Sequence, residues 1–301
     1  MRIFVIGGTG YIGTAVVRHL VRSGHAVSGL VRSAEKQAQL AALGARGVLG
    51  DMKLPSSYAA EARAHDAAIH LGFASSEAAA ALDRAVVDTL LDAARAAGRP
   101  YAVLYTSGVL VLGPAGAGPA DEEASTAHAV FNTWRPEHER LVLGAASNSL
   151  AAAIVRPGWV YGGQGGLVAG YFQSALAEGA AAFVGEGHNR MPQVHREDVA
   201  ELYRRVLELR AGGIFHAVDA GTGSVRDSAV AASRAAGRQG AVRSIPLSEA
   251  LRTLGPFAEA MCVDQWVTSS RAQALGWRPR RPFLQGADEA FAEWQASRPS
   301  A

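Results

Sequence analysis

The sequence has little cysteine, little charge imbalance and no long hydrophobic run. Cys262 is the one cysteine in 301 residues, so no disulfide can form within the chain, and a reducing compartment is favoured. Lys and Arg number 29 against 27 Asp and Glu, which predicts neither a nucleic-acid surface nor an acidic tail. No apolar run approaches the roughly 20 residues that span a bilayer, and no charged leader precedes an apolar segment. We therefore expect a cytoplasmic protein with neither nucleic-acid nor membrane partners.

Motifs for metal and hydrolase chemistry are missing as well. The nine histidines include no His-x-x-x-His pair, and one cysteine cannot form a cluster, so no metal site is predicted. The Gly-x-Ser-x-Gly pattern that marks a hydrolase nucleophile is absent. Cys262 lies in a mostly apolar stretch and is interpreted as a core residue rather than a nucleophile.

Apolar, strand-like segments alternate with alanine-rich, helical segments through the first half of the chain. The pattern predicts strands over 3–6, 26–31, 47–49, 67–71, 102–105 and 152–155, and helices over 12–22, 34–43, 58–64, 83–97 and 136–146. Continuous apolar strands are typical of a sheet covered on both faces. The alternation therefore predicts an α/β fold with a doubly wound parallel sheet and right-handed crossovers.

A glycine-rich segment joins the first predicted strand to the first helix. It reads Gly7-Gly8-Thr9-Gly10-Tyr11-Ile12-Gly13. In this pattern the first glycine allows a tight turn, the second lets the backbone approach a pyrophosphate, and the third lets the helix pack closely on the strand. Free N–H groups at the helix N-terminus favour phosphate. Because the motif stands between a strand and a helix, it predicts a dinucleotide site on a Rossmann-type sheet.

The end of the second predicted strand indicates which dinucleotide binds. NAD enzymes commonly carry an acid there for the ribose 2′-hydroxyl, whereas this chain has Arg32 and Ser33. Because an arginine fork suits a 2′-phosphate, we expect NADP(H) rather than NAD(H), with Lys36 as a second cation. Arg32 could instead be a solvated surface residue. Asp51 and Met52 follow the third strand, where the adenine would lie, and Asp51 could alternatively cap a turn.

The second half of the chain is less regular. Glycine-rich loops are predicted over 113–127, 162–166 and 185–192, with a helix over 198–210, a strand over 213–218 and short helices after residue 244. We find no repeat and no linker. The sequence therefore predicts one domain over 1–301, in which 1–160 mainly binds the dinucleotide. Residues 161–301 are expected to form a smaller substrate-side lobe that returns one or more strands to the sheet.

Several motifs, in the same order, resemble the extended short-chain dehydrogenase/reductase family in its NAD-dependent epimerase/dehydratase branch. The resemblance covers nearly the whole chain and is carried by segments 7–13, 51–52, 69–73, 105–113, 156–162, 194–200 and 275–279. It implies cofactor contacts from Gly7, Thr9, Gly10, Tyr11, Ile12, Gly13, Leu71, Gly72, Phe73, Thr106 and Pro157. It also implies a homodimer through two helices, an arrangement that nothing in the spacing indicates.

The chain departs from the catalytic pattern that this family shares. The usual residues are a Ser or Thr, and a Tyr that stands four residues before a Lys and exchanges a proton with the substrate. If Glu139 is the acid that follows the Lys by four residues, Arg135 stands at the Lys position and Phe131 at the Tyr position. Arg135 could still bind the ribose, as the family's Lys does, because its charge and donors remain, but it cannot readily donate a proton at neutral pH. A second register gives Trp134 and His138, again without a Tyr. The resemblance is therefore to an atypical member of the family.

Other side chains could replace the missing groups. The Ser/Thr position falls on Gly108, and the neighbouring Ser107 could bind a substrate carbonyl or be a satisfied strand-end hydroxyl. Tyr161 could act as the acid or could pack with its hydroxyl on the backbone. His128 could titrate near neutrality or lie in solvent, and His195 fits hydrogen bonding at a helix start better than catalysis.

Three functions remain open at this point. The first is an NADP(H)-dependent oxidoreductase that acts on a small organic carbonyl, imine or alcohol, with Ser107, Arg135 and Tyr161 around the reacting carbon. Phe73, Trp134 and Trp159 could wall its pocket or could equally be core residues. The second is a redox sensor that binds NADP(H) without turnover, and the third is a cyclase or isomerase that retains the cofactor.

Overall fold

A seven-stranded parallel sheet forms the centre of the computed structural model, which describes residues 1–219, 221 and 223–298. The strands are β1 (Arg2–Ile6), β2 (Ala26–Val31), β3 (Arg46–Leu49), β4 (Ala67–His70), β5 (Tyr101–Thr106), β6 (Leu150–Pro157), β7 (Trp159–Tyr161), β8 (Ala181–Val184), β9 (Gln193–His195), β10 (Gly213–Ala217) and β11 (Val242–Ile245). The order in the sheet is β10-β6-β5-β4-β1-β2-β3. The predicted doubly wound Rossmann-type sheet is confirmed.

Helices cover both faces of this sheet. They are α1 (Tyr11–Arg22), α2 (Ala34–Ala42), α3 (Ala59–Ala64), α4 (Ala79–Ala96), α5 (Arg135–Gly144), α6 (Gly166–Glu178), α7 (Arg196–Glu208), α8 (Val225–Ala235), α9 (Leu247–Leu254), α10 (Phe257–Met261), α11 (Ser270–Ala274) and α12 (Ala287–Ala296). Short 3₁₀ turns follow β3 and β5, at Pro55–Ser57 and Val109–Leu112. Within the described residues, no helix combines the length and the apolar character that a membrane crossing requires.

Alternation along β1 explains how the chain builds two cores. Ile3 and Val5 point to one face, where they pack with α1 and α7. Phe4 and Ile6 point to the other face, where they pack with α4 and α5. Successive strand residues face opposite sides, so an entirely apolar strand requires helices on both. The fold therefore buries Ile3 to Ile6 on both faces of the sheet, while Arg2 at the start of β1 stays exposed.

The second half contains elements that the sequence did not predict. Strands β8 and β11 pair with each other, as do β7 and β9, and both small sheets lie outside the central one.

Strand β10 joins the central sheet beside β6, with Phe215 opposite Val155. In the first half, α4 begins at Ala79 rather than at Asp83, because its alanine-rich first turn continues the helix without a capping side chain.

Candidate active site

The carboxyl ends of the central strands gather the predicted site residues at one edge. The first four strands β1 to β4 are followed there by the glycine loop, Arg32, Asp51 and the segment Leu71 to Phe73. Strand β5 ends in Thr106 and β6 ends in Pro157. The strand order reverses between β1 and β4, and ligands of open α/β sheets bind at such a point.

The glycine loop meets the requirements of a close backbone turn. Gly7 has a φ of +84°, and a Cβ there would lie 2.6 Å from the carbonyl of Leu71 and the nitrogen of Gly72. A Cβ on Gly13 would lie 2.0 Å from the Gly7 carbonyl oxygen. By contrast, Gly10 is the exposed N-cap residue of α1 and has no side chain that could accept a hydrogen bond. The first N–H groups of that helix therefore have no side-chain cap. These features fit a pyrophosphate.

The residues predicted around the ribose and adenine lie beside this loop. Arg32 is exposed at the end of β2, and no carboxylate of the described residues pairs with it. Ser33 caps α2, and its hydroxyl accepts from the N–H of Lys36 at 3.3 Å. The carboxylate of Asp51 accepts from the N–H of Lys53 at 2.9 Å, as expected for a turn cap, and Met52 lies against Gly72.

Among the remaining cofactor candidates, Ile12, Phe73 and Pro157 line an open cavity, whereas Thr9, Tyr11, Leu71, Gly72 and Thr106 lie outside its lining. Gly72 donates its N–H to His70 Nδ1 at 3.2 Å, which fixes the segment after β4. The Thr106 hydroxyl lies 2.5 Å from the hydroxyl of Tyr203 and is therefore occupied. Tyr11 donates to the Gly162 carbonyl at 2.8 Å, so it ties the first turn of α1 to the loop before α6. Thr9 lies in the glycine loop itself.

The cavity has a volume of about 270 Å³ and lies between the glycine loop, the end of β5 and the strand β7. Its lining is Ile12, Phe73, Ser107, Gly108, Val109, Leu110, Val111, Phe131, Asn132, Arg135, Pro157, Gly158, Trp159 and Val160. The side chains are mainly aliphatic and aromatic. Arg135 is the one charged residue in this lining, and Ser107 and Asn132 supply the other polar side chains.

Arg135 and Ser107 are buried beside this cavity without full hydrogen bonding. One guanidinium N–H of Arg135 donates to the Thr106 carbonyl, and no carboxylate of the described residues pairs with the charge. The rings of Phe73, Tyr105 and Trp134 lie 5.1–5.9 Å from its guanidinium carbon. The Ser107 hydroxyl is buried and has no hydrogen-bond partner among the described residues. Such groups indicate a site that a ligand completes.

The expectation that Tyr161 stands beside the reacting carbon is corrected. Tyr161 does not line the cavity, and its hydroxyl donates to the carbonyl of Arg281. Its ring packs edge-on against His195 and Phe283, in the core of the second half. Burial raises the pKa of Tyr161 far above its usual range, so it is a poor proton donor. The structure gives Tyr161 a packing role.

The other candidates also have structural roles, and one lining residue was missed. His128 is exposed in a loop. His195 caps α7, accepting from the N–H of Glu197 at 3.2 Å. Asn132 was not predicted, although it lines the cavity directly after Phe131. Its φ of +51° is a conformation that asparagine tolerates better than most residues. The asparagine itself is therefore the signal in the sequence that could have identified this position.

A buried carboxylate supports the site from behind. Asp83 of α4 accepts from the Tyr105 hydroxyl at 2.8 Å, from His70 Nε2 at 2.9 Å and from His138 Nδ1 at 2.7 Å. Burial alone would raise the pKa of Asp83, but these hydrogen bonds outweigh it and hold the pKa well below its usual range. The network joins the ends of β4 and β5 to α5, which carries Arg135.

Residues 3–221 match the model of the NAD dependent epimerase/dehydratase family. The chain belongs to this family. Its members bind NAD(P) and are mostly NAD(P)-dependent enzymes. The glycine loop and the cavity described above therefore occupy the part of the chain that this epimerase/dehydratase match covers, from β1 through β10.

Three relatives match this chain over most of its length. An uncharacterized protein of Saccharomyces cerevisiae is 32% identical, over 93% of this chain and 95% of the relative. One of Schizosaccharomyces pombe is also 32% identical, over 94% and 97%. The 4-hydroxy-2-methyl-3-oxo-4-farnesyl-3,4-dihydroquinoline-1-oxide ketoreductase of Stigmatella aurantiaca is 27% identical, over 91% of this chain and 84% of the relative.

Solved structures share the fold of this family member. A human epimerase family protein, SDR39U1, solved with NADPH, has a TM-score of 0.79 and 23% identity, covering 97% of this chain and 99% of that one. The UDP-glucose 4-epimerase of Thermus thermophilus, solved with NAD, has a TM-score of 0.80 and 21% identity, covering 99% and 100%. Both cofactor types therefore occur on this fold.

Proposed function

We propose that this protein is an NADP(H)-dependent oxidoreductase that acts on a small organic carbonyl or the corresponding alcohol. The observation that carries the proposal is the open cavity beside the glycine loop, into whose lining Ser107 and Arg135 bring incompletely bonded polar groups. A buried cation without a counterion disfavours a protonated imine and favours an oxygen that gains negative charge. The imine considered from the sequence is therefore not retained.

The chain's own residues would hold the cofactor at the strand ends. The first turn of α1 and Gly10 suit the pyrophosphate, and exposed Arg32 suits a 2′-phosphate. When bound, the nicotinamide supplies hydride chemistry. Ser107 and Arg135 would then orient the substrate oxygen and stabilise its charge, and neither needs to give up a proton.

Two observations support an enzyme over a sensor without turnover. The cavity beside the glycine loop is open rather than filled by side chains, so it leaves room for a substrate. The Stigmatella relative is named as a ketoreductase and matches over 91% of this chain. The alternative is a sensor or a non-redox enzyme, which a turnover screen would distinguish from an oxidoreductase.

Cofactor titration followed by a turnover screen tests the proposal. NADPH and NADH are titrated by fluorescence into the wild type, Arg32→Ala and, as a control, Arg234→Ala, which removes an exposed arginine of α8. We expect Arg32→Ala to weaken NADPH binding about tenfold and to leave NADH binding unchanged, because only NADPH carries the 2′-phosphate. Arg234→Ala should change neither. NADPH oxidation is then followed with ketones and aldehydes.

Each outcome bears on a different part of the proposal. Selective weakening by Arg32→Ala together with turnover supports an NADP(H)-dependent oxidoreductase. Equal affinity for both nucleotides in the wild type would contradict the NADP(H) preference. Binding without turnover on a broad panel would favour the sensor, and absence of binding by either nucleotide would overturn the proposal as a whole.

A further inference from the structure

Two aromatic residues of the cavity lining, Phe131 and Trp159, both pack against Phe257, which is not part of the lining. The ring of Phe131 lies 5.2 Å from that of Phe257, and Phe257 lies 5.7 Å from Trp159. Phe73, whose surface is 53% exposed, stands on the rim. Aromatic side chains bury flat, apolar ligands well. The walls therefore favour a planar ring.

The polar side of the cavity is matched to negative charge. Arg135 has only 8% of its surface exposed, yet among the described residues only the Thr106 carbonyl accepts from its guanidinium. An arginine has five N–H donors, so most of them remain available. A buried cation without a counterion is costly, and an anionic ligand oxygen would offset that cost. Ser107, with its unpartnered hydroxyl, supplies a further donor.

The lining offers no group that readily gives up a proton. It contains no Asp, Glu, His, Lys, Tyr or Cys side chain, and Phe131 stands where the family's Tyr is expected. Outside the lining, Tyr105 and His138 both hydrogen-bond to Asp83, and the Tyr203 hydroxyl is hydrogen-bonded to that of Thr106. A bound oxygen can therefore be stabilised as an anion but is not readily protonated by the lining. This suits a weakly basic oxyanion far better than an alkoxide.

We propose that the cavity is a binding site for a planar aromatic or conjugated ring whose single oxygen is held as a phenolate- or enolate-type anion by Arg135. The identification of this ligand as a substrate or product rests on the proposed function. In that reading the substrate class is a conjugated carbonyl such as a quinone. A hydride from NADPH, which would become NADP+, carries two electrons and one proton and would convert the quinone into a hydroquinone monoanion, whose charged oxygen Arg135 would hold. Water supplies the second proton after release.

The test uses 4-nitrophenol as the probe, because the phenolate and the phenol differ in their visible absorption. The full-length protein without nucleotide is titrated with the probe, and the pH at which the bound probe ionises is compared with that of the free probe. We expect the protein to bind the phenolate at least about tenfold more tightly than the phenol, which lowers the apparent pKa of the bound probe by about one unit.

Variants distinguish the contribution of the Arg135 charge to probe binding from that of the aromatic walls. Arg135→Met should abolish the preference for the phenolate, Arg135→Lys should restore part of it, and Arg140→Met, on an exposed arginine of the same helix, should leave it unchanged. Phe131→Ala should weaken both forms of the probe equally and preserve the shift. Circular dichroism verifies that each variant folds.

Two results would overturn the proposal: a bound probe whose pKa is unchanged or raised, or no binding at millimolar concentration. Persistence of the shift in Arg135→Met would equally assign it to another group. These results are distinct from failure of the proposed function, because the probe is tested without nucleotide. Phenolate binding in a protein that binds no NADPH would leave this site standing alone, whereas NADPH turnover without a shift would remove only this inference.

Discussion

At the scale of single residues, Gly13 is the position where a methyl group would do the most damage to the glycine loop. The added Cβ would lie 2.0 Å from the Gly7 carbonyl oxygen, a backbone atom that cannot move aside cheaply. We expect Gly13→Ala to lower the free energy of unfolding by about 1–3 kcal/mol, as overpacking does, and to weaken NADPH binding further by displacing the loop. Thermal unfolding and nucleotide titration measure the two effects.

Gly116 provides the matched control for this substitution. It is exposed in the loop before α5, and a Cβ there would meet nothing within 4 Å. Gly116→Ala should leave stability and nucleotide affinity unchanged. If Gly13→Ala behaved like this control, the close contact between the third glycine and the first would not be what shapes the loop.

Single residues also show where sequence motifs stop being informative. The motif around Pro157 leads into β7, which the sequence did not predict, and neighbouring residues of a strand face opposite sides. Val160 therefore lines the cavity, while Tyr161 points into the core of the second half and donates its hydroxyl proton to the main-chain carbonyl of Arg281. Tyr161 packs against Phe283 of the C-terminal segment. This contact joins residues that are distant in sequence, so a local motif does not predict it.

At the scale of elements, the C-terminal helix α12 is attached to the start of α7 by one carboxylate. Glu293 accepts from His195 Nε2 at 2.8 Å and from Arg196 Nη2 at 2.9 Å. The hydrogen bond from His195 outweighs partial burial and lowers the pKa of Glu293 to about 2. A carboxyl group with a lowered pKa stabilises the fold above its unfolded-state pKa, and that contribution is lost as the pH falls through the folded value.

We therefore expect Glu293→Gln to destabilise the protein at pH 7 by about 1 kcal/mol, a modest loss because solvent screens this half-exposed group. The difference from the wild type should shrink as the pH falls from about 5 towards 2. Chemical denaturation at several pH values measures it. Glu289→Gln, on an exposed residue of the same helix, should show a much smaller and flatter difference. A pH-independent loss for Glu293→Gln would contradict the ion-pair interpretation.

Elements differ in how much local sequence determines them. Strands β1 and β2 were predicted closely because they are mainly apolar and are followed by glycine or arginine turns. Helix α6 was missed because it begins within a glycine-rich segment and carries apolar residues around most of its circumference. Strands β8 and β11 are four residues each, and they become strands by pairing with each other across more than fifty residues. Such pairing leaves little periodic signal in the sequence.

At the scale of the whole molecule, the two halves of the chain share one sheet and one core. Strand β10 pairs with β6, and helix α7 of the second half packs on α1 of the first. Trp277 is fully buried and donates to the Asp198 carbonyl at 2.8 Å, which anchors the C-terminal segment to α7. Neither half can therefore lose its structure without exposing apolar surface of the other.

This interdependence predicts a single cooperative unfolding transition. No tryptophan precedes residue 134 and three of the five lie after residue 160, so their fluorescence reports more on the second half than on the first, whereas far-ultraviolet circular dichroism reports on the whole chain. The two probes should give coincident transitions, and the calorimetric and van't Hoff enthalpies should agree. NADPH at about 100 times its Kd should shift both together, by about 2.7 kcal/mol, because it binds only the folded molecule. A fluorescence transition that preceded the loss of helical signal, and that NADPH left in place, would instead mean that the second half unfolds as a separate unit.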